Sequence, residues 1–518
     1  MTGPQPNPKR KSIVIGLGLA VFFLLLVMPL MDGITPQGQR MLAVVSLMAI
    51  WWIGEGVPLA VTALLPLVLF PALGIMPSRL VAPNYTNHLV FLFLGGFMIA
   101  LSMEKWNFHK RVALVIIRKI GSSPERIVLG FMVATAFLSM WISNTAATMM
   151  MLPVGMAVVR QISADASLNG EKSPETERRI QHSLGLALML GLAHASSIGG
   201  VATLIGTPPN IVFAGFYKEL FPDNPEITFF QWMQVGVPIV LIFLPVLWVF
   251  LCKFSAPEPL SGIQLQADSS EIIQTELMAL GKMSRAEKFI GAVFLCTAFL
   301  WIFRKPIQLG SFAIPGWSSL FPWADFLHDA TVAMAMGLLL MIFPLGYSGK
   351  MILNGKRELF VLDWKTVHDK VPWGILFLFG GGFALASGFK TSGLDLWVGQ
   401  LLSGAEGLPL WLVILIICLS ITFLTELTSN TATATMILPI IAATAVAAHY
   451  HPLMLMVPAT LSASFAFMMP VATPPNAIVF GSGWVTIPDM AKTGLFLNLF
   501  GAALVTTITL LLVQRILT

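Results

Sequence analysis

Leu138-Ser-Met-Trp-Ile-Ser-Asn-Thr-Ala146 and Leu424-Thr-Glu-Leu-Thr-Ser-Asn-Thr-Ala432 decide how this chain folds. Each carries Ser-Asn-Thr-Ala at the middle of an apolar segment, about 125–160 and 408–442, and each is followed by a matching Leu-Pro, Leu152-Pro153 and Leu438-Pro439. A bilayer crossing takes roughly 20 apolar residues, so these segments are too long for one crossing and too interrupted for a single helix. Outward from them the sequence repeats again. Phe93-Leu-Gly-Gly-Phe97 returns as Phe379-Gly-Gly-Gly-Phe383, at the same displacement as the Ser-Asn-Thr pair (379 − 93 and 429 − 143, both 286). Gly206-Thr-Pro-Pro-Asn210 returns as Ala472-Thr-Pro-Pro-Asn476. Three motifs recurring in one order mark an internal duplication.

The composition says where the two copies reside. Of 518 residues 56% are hydrophobic and only 11% charged, and the mean hydropathy is +0.82. Soluble proteins carry about 25% charged residues, so most of this surface faces lipid. Apolar spans fall at about 13–31, 39–54, 57–75, 88–103, 183–220, 230–252, 287–303, 328–344, 372–389, 448–484 and 490–514. The fold class is therefore an all-α polytopic membrane protein with about 11 transmembrane helices and two re-entrant hairpins. The first span follows Lys9, Arg10 and Lys11, and Met31-Asp32-Gly33 offers no small-x-small cleavage site. It reads as a retained helix. The formal charge of +5 belongs to cytoplasmic loops rather than to nucleic-acid binding. Cys252, Cys296 and Cys418 lack metal-ligand spacing and read as buried packing thiols.

Charge also orients the copies. Residues 104–126 hold six basic residues, Lys105, Lys110, Arg111, Arg118, Lys119 and Arg126, and the loop leaving that hairpin has Arg160, Lys172, Arg178 and Arg179. Around the second hairpin, 389–407 hold only Lys390 and 443–453 hold no Lys or Arg. By the positive-inside rule both ends of the first hairpin are cytoplasmic and both ends of the second external. The halves are inverted, and the tips meet near the bilayer midplane. The expected organisation is N-terminal framework helices over 1–87, a first repeat over 88–252, a linker with framework helices over 253–371, and a second repeat over 372–518. The expected location is the inner (cytoplasmic) membrane, with the N-terminus cytoplasmic.

The tips carry the chemistry. Polar residues that disfavour helix at membrane depth break the helix there, and freed backbone is tolerated only where protein or a water-filled cavity satisfies it. Two consecutive prolines remove two backbone donors and push the preceding residues out of the α region, which frees the carbonyls of Gly206 and Ala472. Helix N-termini favour anions and freed carbonyls favour cations. No Lys or Arg lies in either tip or either proline loop. An anion held at this depth then requires positive charge to arrive with it. Oxygen ligands from Ser, Thr, Asn and carbonyls suit a hard cation. No cofactor is called for beyond coupling ions, and no catalytic constellation such as His-Glu-x-x-His is present, so the chain reads as a transporter and not an enzyme.

Ser143-Asn-Thr-Ala146, Ser429-Asn-Thr-Ala-Thr433 and the two Thr-Pro-Pro-Asn loops resemble the divalent-anion:sodium symporter family. The resemblance runs from Trp51-Trp-Ile-Gly-Glu55 to Gly481-Ser-Gly483, nearly the whole chain, and is strongest to bacterial sodium/dicarboxylate symporters. It implies symport of a C4-dicarboxylate (succinate, malate or fumarate) with sodium, a homodimer, and an elevator-like movement of the hairpins. By motif position it implies one sodium site at Ser139, Ser143, Asn144 and the Gly206 carbonyl. A second falls at Thr425, Thr428, Asn430 and the Ala472 carbonyl. Asn144, Thr145, Thr207, Asn430, Thr431 and Thr473 would touch substrate. A sodium-independent or proton-coupled exchanger, or a citrate or sulfate symporter, is the alternative on the same fold. Glu426 either tunes charge at the second site or hydrogen-bonds within its hairpin. Glu55 and Glu104 read as interfacial anchors, and His194 as a satisfied packing histidine.

Overall fold

The computed structural model describes residues 8–121, 123–168, 173–265, 270–309, 312–344, 352–353, 356–402 and 408–516. Lys172 and part of the linker, 266–269, lie outside the described residues. The first helices are α1 (Pro8–Val27), α2 (Pro36–Gly54), α3 (Leu59–Ala63), α4 (Leu65–Ala72), α5 (Ser78–Val81), α6 (His88–Lys105) and α7 (Phe108–Ile120). The first hairpin is α8 (Pro124–Ser139) with α9 (Asn144–Asp165), followed by α10 (Pro174–Gly200), α11 (Pro208–Leu220) and α12 (Phe229–Phe250). Then come α13 (Ser270–Ala279), α14 (Arg285–Ile302), α15 (Asp329–Ile342), α16 (Trp364–Lys370), α17 (Trp373–Ser392) and α18 (Leu394–Leu402). The second hairpin is α19 (Leu410–Thr425) with α20 (Asn430–Ala447), followed by α21 (Pro452–Ser462), α22 (Pro474–Phe480) and α23 (Ile487–Ile508). Among the described residues, eight helices are long and apolar enough to cross a membrane. The few strands are short antiparallel pairs between loops.

Three sequence spans prove to be two helices each. The span 183–220 contains a break at 201–207, and 448–484 contains one at 463–473. The span 57–75 is interrupted at Leu64, next to Pro66. Each hydropathy window stays apolar across its interruption, which is why composition alone merges the two helices.

Polar contacts sort the helix ends onto two faces. Lys105 reaches Glu358 and Asp363 at 2.8 and 2.7 Å, Lys110 reaches Glu276 at 2.7 Å, and Arg111 reaches Glu287 at 2.6 Å. The strand β1 (Ala166–Leu168), which leaves the first hairpin, pairs with β2 (Ile263–Leu265) of the linker, with Ser167 opposite Gln264. These contacts put both ends of the first hairpin beside the basic loops. On the other face the Thr35 hydroxyl donates to Ser392 O (2.7 Å), Trp397 Nε1 donates to Asp32 O (3.1 Å), and Lys390 Nζ donates to Leu220 O (3.1 Å). The second hairpin follows α18 from that face. The two hairpins therefore enter from opposite sides, as the charge pattern predicts.

The duplication has a visible axis. Phe93 on α6 and Phe379 on α17, equivalent positions of the two copies, meet edge to face with centroids 5.0 Å apart. Equivalent residues can touch only beside the pseudo-twofold axis that relates the repeats. Around α17, a Cβ on Gly381 would lie 2.4 Å from Ala63 O, so the glycines of the motif let α3 pack backbone to backbone. Outward-facing apolar side chains such as Phe23, Leu241 and Leu295 complete a lipid-facing surface. Of the cysteines, Cys252 and Cys418 are buried. Cys296 departs from the expectation: it is exposed on α14 beside the outward-facing Leu295.

Candidate functional site

The first tip, residues 140–143, ends where Ser143 starts α9. Its hydroxyl accepts from Ala146 N at 3.2 Å, an N-cap contact that its residue type favours. Asn144, the first residue of α9, turns toward the break in the next helix. The Ser139 hydroxyl lies 2.6 Å from Asn144 Oδ1 and 2.7 Å from Ser196 O. With its amide nitrogen turned to the same cluster, Asn144 donates to Ser196 O at 3.3 Å, Gly206 O at 3.2 Å and Ser139 Oγ at 2.6 Å. The surrounding groups are thus oxygens gathered around one point. Such a cluster is satisfied by an amide N–H or, with the Asn oxygen facing in, by a hard cation. Close approach makes it possible: a Cβ on Gly200 would meet Asn144 Oδ1 at 2.5 Å, and one on Gly206 would meet Gly200 O at 2.3 Å.

The second tip, residues 426–429, repeats the pattern. Thr425 Oγ1 lies 2.8 Å from Asn430 Oδ1 and 3.1 Å from Ala463 O. Ser139 and Asn144 precede Thr425 and Asn430 by the same displacement (425 − 139 and 430 − 144, both 286). The breaks match as well. Asn210 Nδ2 donates to Thr203 O at 2.7 Å, and Asn476 Nδ2 donates to Met469 O at 3.0 Å. The closing asparagine of each Thr-Pro-Pro-Asn motif therefore ties down its own unwound segment.

Tip and break are joined differently in the two halves. In the first, Thr203 Oγ1 donates to Met140 O at 2.5 Å. Counted by the hairpin displacement, Met140 corresponds to Glu426. The buried Glu426 carboxylate accepts from Phe467 N (2.7 Å), Met468 N (2.9 Å), Met469 N (3.1 Å) and Asn498 Nδ2 (2.8 Å). One carboxylate thus satisfies three backbone donors of the unwound segment. This overturns the expectation that Glu426 hydrogen-bonds within its own hairpin: its partners lie in the break and on α23. The reason is spatial, because α21 and α23 pack against α19. His194 is buried with its ring edge-on to Phe467, centroids 5.1 Å apart, but neither ring nitrogen has a hydrogen-bond partner among the described residues, so it packs without being the satisfied histidine expected.

Both tips and both breaks face one open cavity of about 900 Å³. Ser143, Asn144, Thr145, Gly206 and Thr207 line it from the first repeat, and Thr428, Asn430, Thr431, Ala472 and Thr473 from the second. The helices α9, α11 and α20 begin on it, at Asn144, Pro208 and Asn430. Each N-terminus offers roughly half a positive charge, worth about 0.3–1 kcal/mol toward a nearby anion when exposed. Arg10 and Glu55 also line the cavity, and Glu55 caps α2 in the left-handed conformation with φ 49°. It therefore sits at a helix end, where the anchor reading puts it, and lines the cavity as well. Glu104 does hold a helix end, by an ion pair with Lys370 at 2.7 Å.

Of the residues singled out by sequence, Ser139, Asn144 and Gly206 converge at the first tip, and Thr425 and Asn430 at the second. Ser143 and Thr428 are engaged elsewhere: Ser143 caps α9, and Thr428 Oγ1 bonds Leu424 O at 3.1 Å and Thr433 Oγ1 at 2.5 Å. The Ser196 and Ala463 carbonyls escape sequence reading, since a carbonyl leaves no residue-type signal.

The chain matches a family described as sodium:sulfate symporter transmembrane region over residues 10–516. It is 41% identical over 506 residues to the sodium-dependent dicarboxylate transporter SdcS of Staphylococcus saprophyticus, covering 98% of this chain and 92% of that one. It is 40% identical over 503 residues to SdcS of Staphylococcus aureus, covering 97% and 91%. Two solved structures share the fold. The Alcanivorax borkumensis YdaH transporter has 14% identity and TM-score 0.52, covering 82% of this chain and 86% of that one. Neisseria gonorrhoeae MtrF, described as illuminating a class of antimetabolite efflux pumps, has 15% identity and TM-score 0.55, covering 97% and 94%.

Proposed function

Because the chain belongs to the sodium:sulfate symporter family, we propose that it is a secondary active transporter that symports C4-dicarboxylates with sodium. The observation that carries this reading is the duplicated oxygen cluster at the two tips, set on one cavity with no Lys or Arg in either tip or break. Burying a carboxylate without compensation costs several kcal/mol or more. Three helix N-termini at about 0.3–1 kcal/mol each do not offset two of them. Bound cations therefore supply the balance.

The assignment keeps the motif positions and is supported by the oxygen clusters around Asn144 and Asn430. One sodium sits among Ser139, Asn144 and the Gly206 carbonyl, with Ser196 O as a further ligand and Ser143 at its edge. Another sits among Thr425, Asn430 and the Ala472 carbonyl, with Ala463 O nearby and Thr428 at its edge. Asn144, Thr145, Thr207, Asn430, Thr431 and Thr473 meet the substrate carboxylates between the tips. The cavity reaches Arg10 at the basic start of α1, which the positive-inside rule makes cytoplasmic; this supports a cavity facing the cytoplasm. The protein belongs in the inner membrane as a homodimer, with an elevator-like displacement of the hairpins relative to the helices of 1–87 and 253–371. Chemical crosslinking in native membranes tests the dimer.

Uptake of labelled succinate into proteoliposomes tests the function. An inward sodium gradient drives accumulation, and malate and fumarate compete better than citrate or sulfate. Equal uptake in choline, driven instead by a proton gradient or by internal dicarboxylate, replaces symport with the exchanger.

A further inference from the structure

On the face opposite the basic loops, three side chains from separate elements converge. His88 begins α6, His328 precedes α15, and Glu226 lies in the loop between α11 and α12. Glu226 Oε2 is 3.0 Å from His328 Nδ1, and Oε1 is 3.7 Å from His88 Nε2. The two imidazoles stack, centroids 4.8 Å apart. One potential ligand atom from each residue lies within 4.8 Å of the others. All three are partly exposed, the side chains at 35%, 33% and 22% for His88, His328 and Glu226. A small pocket of about 20 Å³ is lined by all three, with room for a single water.

The neighbouring charges leave this set free to act together. Arg304, the nearest guanidinium lining the pocket, is buried against Asp329, with Nε 2.5 Å from Oδ1. Asp329 also accepts from Phe229 N at 3.0 Å, so that pair is internally satisfied. Lys218 Nζ is turned onto the carbonyls of Pro222 (2.9 Å) and Asn224 (3.4 Å). Two imidazoles and one carboxylate remain, with a net charge of −1 when the imidazoles are neutral.

We propose that His88, Glu226 and His328 form a binding site for a divalent transition-metal ion such as zinc(II), fastening the α11–α12 loop to α6 and α15. Two His and one Glu with the fourth position left to water is a recognised zinc set. Tetrahedral zinc with bonds of about 2.0–2.2 Å places ligand atoms roughly 3.3 Å apart, so the site closes by side-chain rotation of about an ångström. Imidazole nitrogen favours such an ion over sodium, calcium or magnesium, which take oxygen. Helix α11 runs from Pro208 on the transport cavity to Leu220, just before this loop. Helix α11 packs on α20 of the second hairpin, so holding its far end to α15, a helix of 253–371, restrains the proposed displacement of the hairpins. The bound metal therefore inhibits transport from the face opposite the basic loops.

Equilibrium dialysis of the purified full chain against zinc(II) tests the site, with thermal unfolding as a second readout of binding. Wild type binds one zinc per chain at the triad and is stabilised by it. His88→Gln, Glu226→Gln and His328→Gln each weaken that binding by about tenfold or more. In proteoliposomes, zinc inhibits wild-type uptake and spares His88→Gln. The inhibition arm rests on the transport reading and the binding arm does not, so zinc binding by a protein that transports nothing separates the two failures. His449 and His451 are the competing adventitious ligands, two residues apart in one turn. Zinc binding that is absent in wild type, unchanged in the triad variants, or lost in His449→Gln overturns the site. Binding at the triad without inhibition overturns the fastening of α11.

Discussion

Asn144 and Asn430 each stand where a helix begins and where a hydroxyl and a freed carbonyl converge. Each is assigned both a cation and a carboxylate, so truncation removes a ligand from two partners at once. Asn144→Ala and Asn430→Ala are each expected to abolish succinate uptake while the protein remains monodisperse and membrane-inserted; near wild-type uptake in either would refute the assignment. Glu426 acts differently, because its four hydrogen bonds go to the unwound segment and to Asn498. Glu426→Gln puts an amide N–H against backbone donors. A charge-assisted hydrogen bond contributes about 1.5–3 kcal/mol, so the expected loss of stability is about 3 kcal/mol, seen as a lower unfolding temperature with weakened sodium affinity. An unchanged unfolding temperature would show that the segment does not depend on this carboxylate. At this scale sequence singled out the two asparagines and the Ser139 and Thr425 hydroxyls that meet them, because repetition marks them, but it also enlisted Ser143 and Thr428, whose hydroxyls bond elsewhere. It missed the Ser196 and Ala463 carbonyls and the reach of Glu426, since backbone oxygens and cross-helix partners depend on packing.

The broken helices are where local chemistry and packing agree. Thr-Pro-Pro-Asn dictates a stop and a restart, and the closing Asn then satisfies the freed carbonyls of its own break. Sequence located both breaks, although hydropathy alone ran 183–220 and 448–484 together. The small residues around the first break are needed for contact rather than for flexibility. Gly200 ends α10 and leaves no room for a Cβ against Asn144, whose Oδ1 would be 2.5 Å away. Gly200→Ala therefore displaces Asn144 from the oxygen cluster. We expect sodium affinity to fall about tenfold or more, which corresponds to about 1.4 kcal/mol, with helix content unchanged by circular dichroism. Wild-type sodium dependence in this variant would mean that Asn144 does not ligate the cation.

For the whole molecule, charge asymmetry between loops predicted the inverted arrangement, and the ion pairs of Lys105, Lys110 and Arg111 gather the same ends in space. Sidedness is testable at exposed positions on the two faces. In a chain lacking Cys252, Cys296 and Cys418, an impermeant thiol reagent applied outside should label Asp223→Cys and spare Lys282→Cys. Labelling of Lys282→Cys alone would reverse the orientation. The shared cavity then places both clusters within reach of one substrate, and a dianion compensated by cations must bind cooperatively with them. Two sodium ions neutralise two carboxylates. A third would make each cycle electrogenic, with about 2.3 kcal/mol per 100 mV for each net charge moved. The most direct measurement is equilibrium binding of succinate to the purified protein as sodium is replaced by choline at constant ionic strength. Succinate affinity should fall steeply and sigmoidally with sodium in the wild type, and the dependence should collapse in Asn144→Ala. Succinate bound as tightly in choline as in sodium would contradict the account.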